Sequence, residues 1–183
     1  MQLIFPQEYI FTHKLNIDAT TTAELIDAAV ESYRCRDYNQ PGNNFAITHA
    51  VDKFDDLYAS FLNICEKTFG PLVLQISNKK TCWGYFSNKF YYLGGIHNHI
   101  QTSVINAVYY LQVPVTETLR EGSLSFYNEQ WQEVYNYKPI AGDLILFPGH
   151  VNHQPHQSFT DDFRISINME IMCKPFDWNC YVC

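Results

Sequence analysis

The stretch 139-PIAGDLILFPGHVNHQPHQSFTDDFRISIN-168 sets two apolar runs on either side of three histidines. "DLILF" is a short apolar run entered through Gly142 and left through Pro148-Gly149, which is how a buried strand is bounded. "RISIN" alternates instead. With a side-chain period of two, Arg164, Ser166 and Asn168 share one face, and Ile165 and Ile167 share the other. Between them lie His150, His153 and His156. An inward arginine beside a hydroxyl is suited to grip a carboxylate through bidentate, charge-assisted hydrogen bonds. A salt bridge from Arg164 to Asp161 or Asp162 is the plainer alternative. His153, at the mouth of one strand, and Arg164, at the start of the next, are expected to face each other across adjacent strands.

The same kind of segmentation runs back to about residue 72. "LVLQIS", "CWGYF", "VINAVYYLQV", "GSLSFYN" and "EVYNY" are further short runs separated by turn residues, and so many in about 100 residues imply a sandwich or barrel. The aromatic content of 16%, with 13 Tyr and 13 Phe, favours half-buried pleated surfaces. Helical periodicity is confined to the N-terminal third. "TTAELIDAAVESY" has Thr21 three residues ahead of Glu24, a capping-box spacing, with Leu25, Ala28, Ala29 and Ser32 on one face. "VDKFDDLYASFLNICEKTFGP" repeats apolar residues at helical spacing and stops at Gly70-Pro71. Both helices are expected to pack on one sheet. The 183 residues therefore read as one domain: an N-terminal strand and helices over 1–71, a β core over 72–175, and a tail over 176–183.

A net charge of −7 supplies no basic stripe for phosphates, so nucleic acid is a poor partner, and no run is long enough to span a bilayer. The N-terminus lacks the pattern of a signal peptide. A cytoplasmic protein is expected, with most of its six cysteines reduced and buried. Cys180 and Cys183 form a lone C-x-x-C, too little for structural zinc without a second pair.

Five of the seven histidines cluster. Besides the downstream three, His97 and His99 form an H-x-H pair ahead of "SVINAVYYLQV", whereas His13 and His49 stand apart as surface or packing residues. An H-x-H pair on an extended segment offers two imidazoles on one face, and a third from a distant strand would complete a facial metal set. A polar turn before a strand is the plainer alternative. Trp83, Tyr85, Tyr91 and Tyr92 precede the pair and are candidates to line a substrate mouth, or to pack in the core.

Four ordered blocks, "HNH" at 97–99, "NAVYYL" at 106–111, "GDLILFP" at 142–148 with His153, and "RISIN" at 164–168, give the chain its likeness to a family. It resembles the Fe(II)/2-oxoglutarate-dependent oxygenases, most closely an oxygenase family common in marine bacteriophages and bacteria, over about residues 82–170. The resemblance implies a mainly β fold, a cupin-like double-stranded β-helix or jelly roll, with the N-terminal helices packed on one sheet. It implies Fe(II), 2-oxoglutarate and O2 as cofactor and cosubstrates, and hydroxylation coupled to decarboxylation of 2-oxoglutarate to succinate. His97 and His153 would be metal ligands, His153 being preferred to His150 by its spacing to Arg164, and His156 would lie outside the ligand set. Arg164, Ser166 and Tyr110 would bind the distal carboxylate of 2-oxoglutarate. A phage-encoded member would act in the host cytoplasm.

One departure matters. Most members of the wider superfamily carry a carboxylate where this chain has His99. His99 either ligates in its place, leaving the site one unit more positive, or points away and leaves two protein ligands. Asp143 precedes its strand and is badly placed to substitute. Two other readings stay open: a cupin that binds metal without 2-oxoglutarate, which leaves Arg164 unexplained, and a structural or binding barrel without catalysis. A peptidyl side chain, a free amino acid and a nucleobase are all compatible as the substrate.

Overall fold

The computed structural model describes residues 9–35, 44–47, 51–71, 80–90, 94–101 and 103–171. The "LVLQIS" run, His49, Tyr91, Tyr92, Cys173 and the Cys180/Cys183 pair lie outside the described residues. Among the described residues nine strands and two helices follow in the order β1 (Phe11–Lys14), α1 (Ala19–Arg34), β2 (Asn44–Ala46), α2 (Val51–Phe69), β3 (Lys80–Ser87), β4 (Ile105–Gln112), β5 (Leu124–Tyr127), β6 (Glu133–Tyr137), β7 (Asp143–Pro148), β8 (Asn152–Pro155) and β9 (Arg164–Ile171).

The strands form two antiparallel sheets. The larger has the order β1-β7-β4-β9-β3-β2, and the smaller β6-β5-β8. Each strand's period of two then sorts its residues between two cores. Outward from the larger sheet, Ala107, Tyr109, Leu144, Leu146, Ile165, Ile167 and Met169 meet Leu25, Ala29, Phe54, Phe61 and Cys65 of the two helices. Inward, Val108, Tyr110, Ile145 and Phe147 meet Leu124 and Phe126 of the smaller sheet. The helices thus pack on one sheet of a sandwich, as the sequence pattern implies.

Local details differ from the sequence reading in three places. Asp18, not Thr21, caps α1: its carboxylate accepts from the Thr21 amide at 2.9 Å and from the Thr21 hydroxyl at 2.6 Å. Aspartate is the better acceptor for the orphan amides of a first turn, and Glu24 is left to pair with Lys53 of α2 at 2.6 Å. Second, Asn152–Pro155, which carries no strand pattern in the sequence, is a strand, with Pro155 opposite Leu124. Third, β8 and β9 belong to different sheets, so His153 and Arg164 lie on opposite sheets and not on adjacent strands. Cys65 is buried and Cys82 half-buried, while Cys35 is exposed. Among the described residues, no helix is long and apolar enough to cross a membrane.

Gly149 ties the segment before β4 to the end of β7. Its amide donates to Val104 O at 2.9 Å, and its carbonyl accepts from the His99 amide at 2.7 Å. A Cβ at this position would lie 1.9 Å from Ser103 O, a backbone atom that cannot swing aside. Replacing Gly149 with alanine is therefore expected to cost about 1–3 kcal/mol, as overpacking does, and to displace the segment carrying His99. Equilibrium urea denaturation of the metal-free protein would measure it, and an unchanged midpoint would contradict this account.

Candidate metal and cosubstrate site

His97 and His153 face each other as a backbone pair. The His97 amide donates to His153 O at 3.0 Å and the His153 amide to His97 O at 2.8 Å, an isolated antiparallel bridge beside β8. Residues directly opposite in such a bridge point to the same face, and the two imidazole centroids are 4.3 Å apart. His99, two residues on, lies on that face too, with centroids 5.3 Å from His97 and 5.2 Å from His153. One nitrogen from each of the three rings lies within 4.8 Å of the other two. His99 thus points to the same side as the other two rings.

All three rings are oriented through Nδ1. That of His97 lies 2.9 Å from Gly95 O, that of His153 3.0 Å from Val151 O, and that of His99 3.1 Å from the carboxylate of Glu170. A proton on each Nδ1 makes these contacts hydrogen bonds and leaves each Nε2 as a lone pair, which is how a metal-binding imidazole is prepared. Three such imidazoles, one fully buried and one reaching the surface, suit a divalent transition metal with positions left open.

Beside the histidines, the inward row of β9 carries Arg164, Ser166, Asn168 and Glu170. Its neighbours in register are Ser87, Tyr85 and Trp83 on β3 and Tyr110, Val108 and Asn106 on β4. Arg164 is 2% exposed, and no carboxylate pairs with it among the described residues. Nη1 donates to Gly122 O at 2.9 Å and Nε has no partner. Asp161, the sequence alternative, pairs with Lys89 at 2.7 Å instead. A buried guanidinium without a counter-charge is costly unless an anion completes it. Tyr110, 1% exposed, holds its ring 6.0 Å from the guanidinium carbon. Burial pushes its hydroxyl up to about 12 against the opposing pull of Arg164, so it remains a proton donor at neutral pH.

Asn106 escaped the sequence reading. It sits opposite Phe147 on one side and Glu170 on the other. Phe147 packs edge-on against His153 at 4.7 Å, and Glu170 touches His99, so Asn106 lies on the floor between two of the three histidines. It is 3% exposed and both of its amide atoms lack partners. Glu170 was also unread, although it continues the alternating row of β9 as that row's carboxylate. His150 is exposed on the turn after β7 and outside the cluster. His156 is half-buried, its Nε2 2.7 Å from Ser125 Oγ, away from the three histidines. Asp143 accepts from Tyr137 and from the Ile140 amide, at the start of β7. Trp83 is half-buried, and Tyr85 buried, on the inward face of β3.

Residues 81–170 match the model of the family described as "Putative 2OG-Fe(II) oxygenase". Over these residues the chain is similar to the 2OG-Fe(II) oxygenases. The chain shares its fold with a Pseudomonas putida prolyl-4-hydroxylase at 13% identity, covering 90% of this chain and 92% of that one with a TM-score of 0.63. A Trichoplax adhaerens prolyl hydroxylase, solved with a peptide fragment of the hypoxia inducible factor oxygen degradation domain, gives 14% identity, coverage of 91% and 84%, and a TM-score of 0.65. SnoK, an alpha-ketoglutarate-dependent carbocyclase from nogalamycin biosynthesis, gives 12%, 91% and 81%, and 0.68. No curated protein matches the sequence. The described β-sandwich is thus the double-stranded β-helix of these oxygenases, and the family implies Fe(II), 2-oxoglutarate and O2. The three histidines are a potential iron site.

Packing disfavours protonation of two of the three imidazoles. Burial holds His153 well below the ordinary histidine value, reinforced by His97 and opposed by the Val151 carbonyl. Burial also lowers His97, opposed by the Gly95 carbonyl. The sign follows from linkage. Below pH 6.5 the unfolded chain takes up protons that the folded rings refuse, so stability is lost as pH falls, by up to about 1.4 kcal/mol per pH unit for each fully refusing group. Thermal melting of the chelator-treated protein should hold steady above pH 7 and fall between pH 6.5 and 5. His153→Asn, which keeps a donor for Val151 O, should flatten that fall, whereas an equal slope in the variant would contradict the assignment.

Proposed function

We propose that the protein is a single-domain hydroxylase in which His97, His99 and His153 hold Fe(II) and in which Arg164, Ser166 and Tyr110 bind the distal carboxylate of 2-oxoglutarate. The observation that carries this reading is the buried Arg164. It lies on the inward face of the sandwich with an unpaired Nε and no counter-anion among the described residues. An incoming carboxylate would complete a charge-assisted grip there, with the Tyr110 hydroxyl as a second donor and Ser166, two residues along the same row, as a third. A cupin that ignores 2-oxoglutarate would have no use for that arginine.

The bound iron would supply O2 activation, one oxygen atom passing to 2-oxoglutarate as it loses CO2 to become succinate and the other entering a C–H bond of the substrate. The chain's own part is positioning and exclusion of water. Nδ1 hydrogen bonds fix the three rings. Phe126 and Phe147 wall the site against His153 with centroids 6.4 and 4.7 Å away. Asn106 offers one donor and one acceptor to whatever is bound above it. Substrate is expected from the side of His97, which reaches the surface, past a rim where Asn98 donates to Asn152 at 2.8 Å. A small molecule or a peptidyl side chain fits this approach. The acidic chain makes nucleic acid a poor candidate and a cytoplasmic setting is the simplest one.

Arg164→Met tests the reading, because it keeps length while removing charge. Affinity for 2-oxoglutarate should fall about 100-fold or more, corresponding to ~3 kcal/mol. The weak visible charge-transfer absorption of a metal-chelated 2-oxo acid should vanish at matched concentration. Fe(II) affinity should be unchanged, and the ligand-free protein should melt no lower than wild type, since an uncompensated buried charge has gone. Equal 2-oxoglutarate binding by wild type and variant would remove the central support for the proposal.

A further inference from the structure

We infer that Glu170 is the charge partner that lets a histidine occupy position 99, so that His99 and Glu170 together stand in for a ligating carboxylate. The inference rests on the reading of His97, His99 and His153 as the metal ligands. Its geometry is short. The Glu170 carboxylate, 6% exposed as a residue, lies 3.1 Å from His99 Nδ1 at the inner end of β9. The opposite ring nitrogen is thereby the one presented to the cluster. Of the three imidazoles, two lean on neutral backbone carbonyls, those of Gly95 and Val151, and His99 alone leans on a formal charge.

A purely structural role would predict a different arrangement. Asn106 is directly opposite Glu170 on β4, on the same face, with an amide that has no partner. A buried carboxylate serving only to satisfy its neighbours would take that amide. Glu170 turns to the imidazole instead and leaves Asn106 unpaired. The segment that brings His99 there is anchored to the same strand end, since the Val104 amide donates to Ile171 O at 2.8 Å and the Ser103 amide to His99 O at 2.8 Å. A carboxylate behind an imidazole raises its basicity and holds one ring orientation, and removing such a partner characteristically lowers metal affinity 10- to 100-fold. Glu170 is a positioning residue in this sense: it acts on the metal through His99.

The test is anaerobic Fe(II) titration against a competing chromophoric chelator, using the full chain and five forms: wild type, E170Q, H99D, H99D/E170Q and H153A. Glutamine is close in shape and keeps an oxygen for Nδ1, so metal-free melting should move little, and binding is read independently of turnover. E170Q is expected to weaken Fe(II) binding by roughly 10- to 100-fold in the wild-type background. In the H99D background no imidazole remains for Glu170 to act through, so E170Q should change binding by much less. A purely packing role would move both backgrounds alike. E170Q within threefold of wild type, or the same change in both backgrounds, would overturn the inference while leaving the three-histidine site standing. H153A binding Fe(II) as tightly as wild type would overturn the ligand reading itself, and this inference with it.

Discussion

Two backbone hydrogen bonds between His97 and His153 hold the site together. They join a segment that precedes β4 to a strand of the smaller sheet, 56 positions further along the chain, and they put two imidazoles on one face before any side-chain interaction is counted. Everything else is arranged around that bridge. Pro148 and Gly149 turn the chain from β7 into β8, and the Gly149 carbonyl catches the His99 amide, so the H-x-H segment is fastened at both histidines. Phe126, opposite His153 in the β5–β8 register, and Phe147 from the larger sheet close the apolar side. Backbone bonding of this kind fixes ring positions without using the ring nitrogens, which leaves the Nδ1 atoms to orient the rings.

Charge is distributed along a single strand. β9 carries Arg164 at one end of its inward row and Glu170 at the other, separated by about 20 Å of extended chain, and both are buried. Neither compensates the other at that distance. Each is therefore met separately: the glutamate by an imidazole built into the chain, and the arginine by the Gly122 carbonyl, with its Nε left without a partner among the described residues. The outward row of the same strand, Ile165, Ile167, Met169 and Ile171, is packed under the helices. The alternation that buries one row in the helix core obliges the other to face the space between the sheets. One strand thus contributes both to the stability of the sandwich and to the polarity of its interior.

Much of this was legible in the chain because it depends on short-range periodicity. The alternation of "RISINMEI" is unmistakable, and it assigns Arg164 and Ser166 to the inward face without a structure. His97 and His99 are read the same way. What was missed depends on contacts between distant segments. β8 has the sequence "NHQP", with no β-branched or large apolar residue to mark it, and it is a strand because Leu124 to Tyr127 offer a free ladder. Glu170 has the right parity but no significance until the bonds from the Ser103 amide to His99 O and from the Val104 amide to Ile171 O bring His99 to the end of β9. Asn106 reads as one polar residue in an apolar strand. Only its neighbours in register, Phe147 and Glu170, reveal that it lies beneath the histidines. At α1, Thr21 and Glu24 fit a capping box, but Asp18 is the better acceptor and begins the helix sooner.

The burial gradient across the site gives it a direction. Arg164, Tyr110 and Ser166 are 2%, 1% and 3% exposed, whereas His97 reaches solvent. If the arginine is the seat of the cosubstrate carboxylate, that carboxylate occupies the inner end and must pass the histidines to reach it. A substrate lying over His97 would then cover the route. The geometry favours an order in which 2-oxoglutarate settles first and the substrate closes the site behind it. The same gradient explains why polar atoms are left unsatisfied in the interior. The Arg164 Nε and both amide atoms of Asn106 carry a desolvation cost of about 1–3 kcal/mol each where they stay unpaired. Ordered water or a bound ligand relieves that cost, and a ligand that bears charge and hydrogen-bonding groups gains binding energy by doing so.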